Sequence, residues 1–119
     1  MPRKRAKQRR SGPTEGVQAT HIAQKARKAH MARVAALGCI ACMLDINPGT
    51  PAELHHPREG AGAGQKSSDM DVIPLCPPHH RGTDHPRTPS IHLDRLAFIA
   101  RYGSETELLA RVRALLGEE

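Results

Sequence analysis

The sequence predicts a small α+β fold with a zinc ion as its staple, a short hairpin at its centre and longer helices on either side. Three observations predict it. Two ligand-type pairs, Cys39-Ile-Ala-Cys42 and Cys76-Pro-Pro-His79, use all three cysteines. Two short apolar stretches, "AELHH" and "MDVIPLC", bracket a glycine-rich connection. Aromatic residues are almost absent, with one Phe, one Tyr and no Trp among 119 residues. A core of Leu, Ile, Val and Ala is thin for this length, and small domains with thin cores need a disulfide or a metal.

The elements follow in chain order. Residues 1–30 carry nine of the 18 Lys and Arg and one acid, Glu15, whereas residues 31–119 are net negative. The formal charge of +6 therefore belongs to the N-terminal arm. "MPRKRAKQRR" has no apolar face to bury, so residues 1–19 are expected to be a disordered basic arm, followed by a single domain over 20–119. Its cations, Arg3, Lys4, Arg5, Lys7, Arg9 and Arg10, suit a phosphate backbone through counterion release. The plainer alternatives are a solubilising tail or a membrane-surface contact.

Good helix formers run from Thr20 to Leu37, with Ile22, Ala26, Ala29, Arg33 and Ala36 at helical spacing and Gly38 as the stop. Residues 39–50 read as a knuckle and a Pro-Gly loop. "AELHH" and "MDVIPLC" read as strands. Pro77 suits the first turn of a short helix. Ser90 is the expected N-cap of a helix from Ile91 to Arg101, stopped by Gly103. Ser104 and Glu107 make a capping-box pattern for a last helix to Leu116, whose apolar face carries Leu108, Leu109, Val112, Leu115 and Leu116.

The cysteines define the chemistry. Two residues between ligands let one turn aim both side chains at one ion, and two such turns complete a tetrahedral Cys₃His site. A redox dithiol would need a thioredoxin-like context, and an odd cysteine count argues against a disulfide framework. Cys39, Cys42, Cys76 and His79 are thus expected to hold a structural zinc ion. His80 is left over, together with His55, His56, His85 and His92. Neighbours on a strand face opposite ways, so His55 and His56 suit two jobs, one on an ion and one on a substrate. Such an arrangement fits one catalytic divalent cation with a free imidazole beside it.

The combined pattern, CxxC, a histidine pair and then "IPLCPPHH", resembles the HNH nucleases, whose fold is the ββα-metal motif. From "ELHHPREGAGAGQKSSDMDVIPLCPPHHRG" through "SIH" to "RYG" it resembles the phage recombination enhancement function (Ref) nucleases and their prophage relatives. The resemblance covers roughly residues 30–110 and implies an endodeoxyribonuclease of phage or prophage origin. It makes His55 and His80 ligands of a catalytic cation and His56 the general base. It makes Asp71, where many HNH proteins have Asn, the residue that orients the loop bearing the base. His92 would complete the metal site or contact the scissile phosphate, and Lys66 would contact a phosphate.

Imidazole ligands suit Zn²⁺ or Ni²⁺ better than Mg²⁺, while Asp69, Asp71 or Asp84 would add a hard oxygen that brings in Mg²⁺ or Mn²⁺. DNA is the implied partner and a recombinase filament a further one. No apolar run is long enough to cross a bilayer and no secretory signal is visible, so the expected location is the cytoplasm of a bacterial host, with no membrane partner. The rival class is a zinc-stapled nucleic-acid-binding module without activity. It leaves the two histidine doublets unexplained.

Overall fold

A computed structural model of the chain describes residues 14–58, 68–82 and 88–118, with side chains from Thr20 onward. Its elements are α1 (Thr14–Ala36), α2 (Ile40–Leu44), β1 (Glu53–His55), β2 (Ile73–Leu75), α3 (Pro77–Arg81), α4 (Arg95–Tyr102) and α5 (Glu105–Leu115). The fold is α+β: a two-stranded antiparallel hairpin with helices packed around it. Glu53 pairs with Leu75, Leu54 with Pro74 and His55 with Ile73. Pro74 donates no hydrogen bond, which a two-stranded sheet tolerates because each strand has an open edge.

Helix α1 begins at Thr14, so residues 14–19, expected in the disordered arm, are helical. Extending an existing helix is far easier than nucleating one, and the run from Gln18 onward has no breaker. Packing selects one face of α1. Ile22 is 69% exposed, whereas His30 and Val34 are buried and Met31 and Leu37 pack against the core. The core contacts only the last two turns. Lys25 and Lys28 stay on the exposed surface. Arg33 ties the helix to the C-terminus, donating to the Leu116 carbonyl at 3.1 Å.

Gly38 stops α1 as expected. It adopts φ +82°, and a Cβ there would lie 3.1 Å from the Thr50 carbonyl oxygen. That close approach lets Cys39 N–H donate to the same carbonyl at 2.9 Å. The knuckle itself closes as the short helix α2.

Helix α4 is a correction. It starts at Arg95 with Asp94 as N-cap, not at Ile91 with Ser90. The backbone of the preceding segment is engaged elsewhere: Ile91 N–H donates to the His79 carbonyl at 2.8 Å and His92 N–H to the His80 carbonyl at 3.3 Å. Residues bound to the end of α3 cannot also open a helix. Ser90 caps only the turn between them, accepting from Leu93 N–H. In α5 the capping box forms in full, with Ser104 and Glu107 each accepting the other's backbone N–H. Leu108 and Val112 are buried, Leu109 and Leu116 partly so, and Leu115 is 49% exposed.

The core consists of Val34, Ile40, Val72, Ile73, Leu75, Ile91, Phe98, Tyr102, Leu108 and Val112, with the three cysteines among them. Each such side chain contributes about 1.5–3 kcal/mol of burial. The whole group surrounds the hairpin and α3, so the elements bearing the histidines are fixed from several sides.

Candidate metal centres

Cys39 is the N-cap of α2 and Cys76 the N-cap of α3, each in extended backbone. In this arrangement the residue three positions on, Cys42 or His79, returns to the same point. The four ligand atoms lie within 4.8 Å of one another and all four residues are buried. Tetrahedral zinc with Zn–S near 2.3 Å and Zn–N near 2.0 Å implies edges of about 3.8 Å between sulfurs and about 3.6 Å from sulfur to nitrogen. Cys42 Sγ and Cys76 Sγ are 3.8 Å apart. His79 Nδ1 lies 3.6 Å from Cys39 Sγ, 3.6 Å from Cys42 Sγ and 3.2 Å from Cys76 Sγ. This centre can hold a metal ion such as zinc.

Without an ion, burial favours the neutral thiols. Burial pushes the Cys39 thiol up to about 12 and raises Cys76 as well. A bound cation reverses that preference, because the thiolate is the ligating form. The outer partners are in place too. With Nδ1 on the metal side, His79 Nε2–H donates to Tyr102 Oη at 2.9 Å, and Tyr102 O–H donates to Asp45 at 2.7 Å. Burial raises Tyr102, and its hydroxyl in turn lowers Asp45. The hydroxyl stays protonated and the carboxylate ionised, so the chain of donors runs one way. Tyr102 and Asp45 were not singled out from the sequence.

The second cluster starts one residue further along α3. His55, His80 and His92 bring one ring nitrogen each within 4.8 Å of one another. Their ring centroids lie 5.1, 5.3 and 4.7 Å apart. Burial falls from His55 through His80 to the exposed His92, so the cluster opens to solvent on one side. Carboxylates hold two of the rings. His55 Nε2 meets Glu105 at 2.5 Å, leaving Nδ1 for the cluster. His80 Nδ1 meets Glu53 at 3.0 Å, leaving Nε2. Carboxylates behind metal-ligating histidines fix tautomer and orientation in this way.

Glu105, in the first turn of α5, is fully buried. Its other oxygen accepts from the Arg58 N–H and from Arg95, each at 2.9 Å. Burial works against the Glu53 carboxylate, but Arg81 and His80 outweigh it and hold Glu53 below its usual value. Burial also lowers His80 and His92, which favours the neutral, ligating imidazole.

The structure thus brings His92 together with His55 and His80. His56 faces elsewhere: its Nε2 meets Asp69 Oδ1 at 2.8 Å. The Asp71 carboxylate, assigned from the sequence to the loop bearing the base, accepts from Arg113 at 2.7 Å. Arg3, Lys4, Arg5, Lys7, Arg9, Arg10 and Lys66 lie outside the described residues, as do Asp84 and His85. Among the described residues, no helix is long and apolar enough to cross a membrane.

Together these features define a small α+β protein with two adjacent candidate metal centres, one closed and cysteine-rich, the other open and built of imidazole. The chain belongs to the family of recombination enhancement, RecA-dependent nucleases, whose model matches residues 19–117. It is also 38% identical over 66 residues to the uncharacterized protein YdfU of Escherichia coli K12. That match takes in 53% of this chain but only 17% of the relative's length.

Proposed function

We propose that this chain is an HNH endonuclease that hydrolyses DNA phosphodiester bonds with a divalent cation, is encoded by a phage or prophage, and is directed to its target by a recombinase filament. The observation that carries this is the convergence of His55, His80 and His92 on one point, with His56 next to His55 in the chain. A structural staple needs only the Cys39, Cys42, Cys76 and His79 set. A second, solvent-open set of imidazoles is what a catalytic ion requires.

His55 and His80 would hold the cation, with His92 as the third ligand at the open side. When bound, a divalent cation supplies Lewis-acid stabilisation of the phosphate and the leaving oxygen. His56 accepts a proton from the attacking water, a task suited to an imidazole. Structural zinc on the cysteine centre holds α3, and so His80, in place. Exposed Lys25 and Lys28 on α1 extend the basic surface of the N-terminal arm, which supplies sequence-independent DNA affinity.

The test pairs wild type with His56→Ala. Cleavage of single- and double-stranded DNA is followed with Mg²⁺, Mn²⁺, Ni²⁺ or Zn²⁺, with and without a recombinase filament, alongside zinc content and DNA binding. Loss of cleavage with zinc and binding retained is expected. Equal binding and no cleavage by wild type under any condition would sink the nuclease reading in favour of a binding module.

A further inference from the structure

We propose that Asp69 is the positioning residue for His56, and that it selects Nδ1 as the atom that meets the attacking water. This rests on His56 being the general base.

The geometry is specific. His56 leaves the end of β1 with its ring 24% exposed, and Asp69, 35% exposed, sits in the turn before β2. The sequence between them forms the glycine-rich connection, so thirteen positions along the chain separate two groups that touch. Ser68 shapes the turn holding Asp69: its hydroxyl accepts from Met70 N–H at 3.0 Å and its carbonyl accepts from Asp71 N–H at 2.9 Å. The second carboxylate oxygen of Asp69 faces Arg27 of α1 at 4.0 Å. The carboxylate is thus bracketed between the histidine and a guanidinium, which discourages rotation away from the ring.

An ionised carboxylate only accepts hydrogen bonds, so the nitrogen facing it must carry the hydrogen. His56 is therefore the Nε2–H tautomer when neutral, and its lone pair is on Nδ1. A base with its lone pair on the wrong nitrogen, or a ring free to turn, loses alignment with the water, and small misplacements at a reacting centre are costly. The residue two positions on, Asp71, instead meets Arg113 of α5. Of the two aspartates in this turn, Asp69 bonds the imidazole and Asp71 bonds a guanidinium of α5.

Two measurements test the proposal on the zinc-loaded chain. Long-range ¹H–¹⁵N correlation spectra, taken where the ring is neutral, should show His56 of the wild type as Nε2–H. An Nδ1–H tautomer overturns the proposal without any variant. DNA cleavage is then compared for Asp69→Ala, Asp69→Glu and His56→Ala. Asp69→Ala should lower kcat on the order of 10- to 100-fold with KM for DNA little changed, and Asp69→Glu should recover part of the loss. Wild-type kcat in Asp69→Ala, with His56→Ala inactive, overturns the role of Asp69 and leaves the base in place. Full cleavage by His56→Ala removes the base itself, and the proposal with it.

Discussion

Replacing Glu105 with Gln keeps the side chain's volume and removes one negative charge from a position with no solvent access. Two orientations are open to the new amide, and each breaks something. With its NH₂ toward His55, the ring must accept at Nε2 and carry its hydrogen on Nδ1, the nitrogen that faces the cluster. With its carbonyl toward His55, the NH₂ points at the Arg58 N–H and the Arg95 guanidinium, both donors. Leaving a buried donor unpaired costs about 1–3 kcal/mol, so neither state is free of penalty.

Outer partners of metal-ligating histidines are worth about 10- to 100-fold in affinity. Glu105→Gln should therefore weaken cation binding at the histidine cluster by roughly that factor. The cysteine centre, which Glu105 does not touch in any bond described here, should keep its ion. The assay is calorimetric titration of Zn²⁺ or Ni²⁺ into protein whose cysteine centre is already filled. A second ion bound by Glu105→Gln with wild-type affinity would refute the reasoning. Glu105→Ala goes further, since His55, Arg58 and Arg95 all lose a partner at once. It should destabilise the fold by about 3–5 kcal/mol, read from the denaturant midpoint.

Other expectations follow from the same geometry. Tyr102→Phe removes the hydroxyl between His79 and Asp45, and should weaken zinc at the cysteine centre by about 10- to 100-fold, measured by competition with a chromophoric chelator. Stripping that metal removes on the order of 10 kcal/mol, comparable to the whole stability of a small domain. Circular dichroism after chelation should therefore show loss of the helical signal, and full retention would argue against a metal staple. Gly38→Ala forces a side chain into φ +82° against the Thr50 carbonyl and should cost about 1–2 kcal/mol in denaturant unfolding.

His80 and His92 have folded pKa values below 6.5, chiefly from burial. The unfolded chain therefore binds more protons than the folded one as pH falls through that value. Their contribution is complete above about pH 6.5 and is lost as pH falls toward the folded pKa values. Unfolding midpoints of the protein without an ion in the histidine cluster should drop as pH falls below about 6.5, and less so in His80→Ala.

What the sequence made legible is what local spacing controls. CxxC and CxxH each lie within one turn, so Cys39, Cys42, Cys76 and His79 could be grouped without knowing the fold. Gly38, the hairpin strands, Pro77 and the capping box at Ser104 are equally local. The start of α4 was not legible, because Ile91 and His92 spend their N–H groups on carbonyls of α3, a tertiary contact that overrides the Ser90 signal. The buried face of α1 was not legible either: helical spacing marks several faces, and only packing selects the one with His30 and Val34. Glu105, Tyr102 and Asp45 were invisible because their partners lie 50, 23 and 57 positions away. A fully buried acid in a capping-box helix leaves no mark on the sequence. That Asp69 meets the His56 imidazole while Asp71, the residue assigned from the sequence to the base-bearing loop, meets Arg113 was not legible, since a turn of the chain decides it.

Helix α3 has one further consequence, for how such a chain can change over time. Adjacent residues on an α-helix point about 100° apart, so His79 and His80 face two different candidate centres from neighbouring positions. Adding or deleting one residue between Cys76 and His79 would rotate both imidazoles off their targets together. Substitutions can be tried there one at a time, but length cannot. The five-residue helix is an indexing pin, and lineages of this chain should vary in length almost everywhere before they do so there.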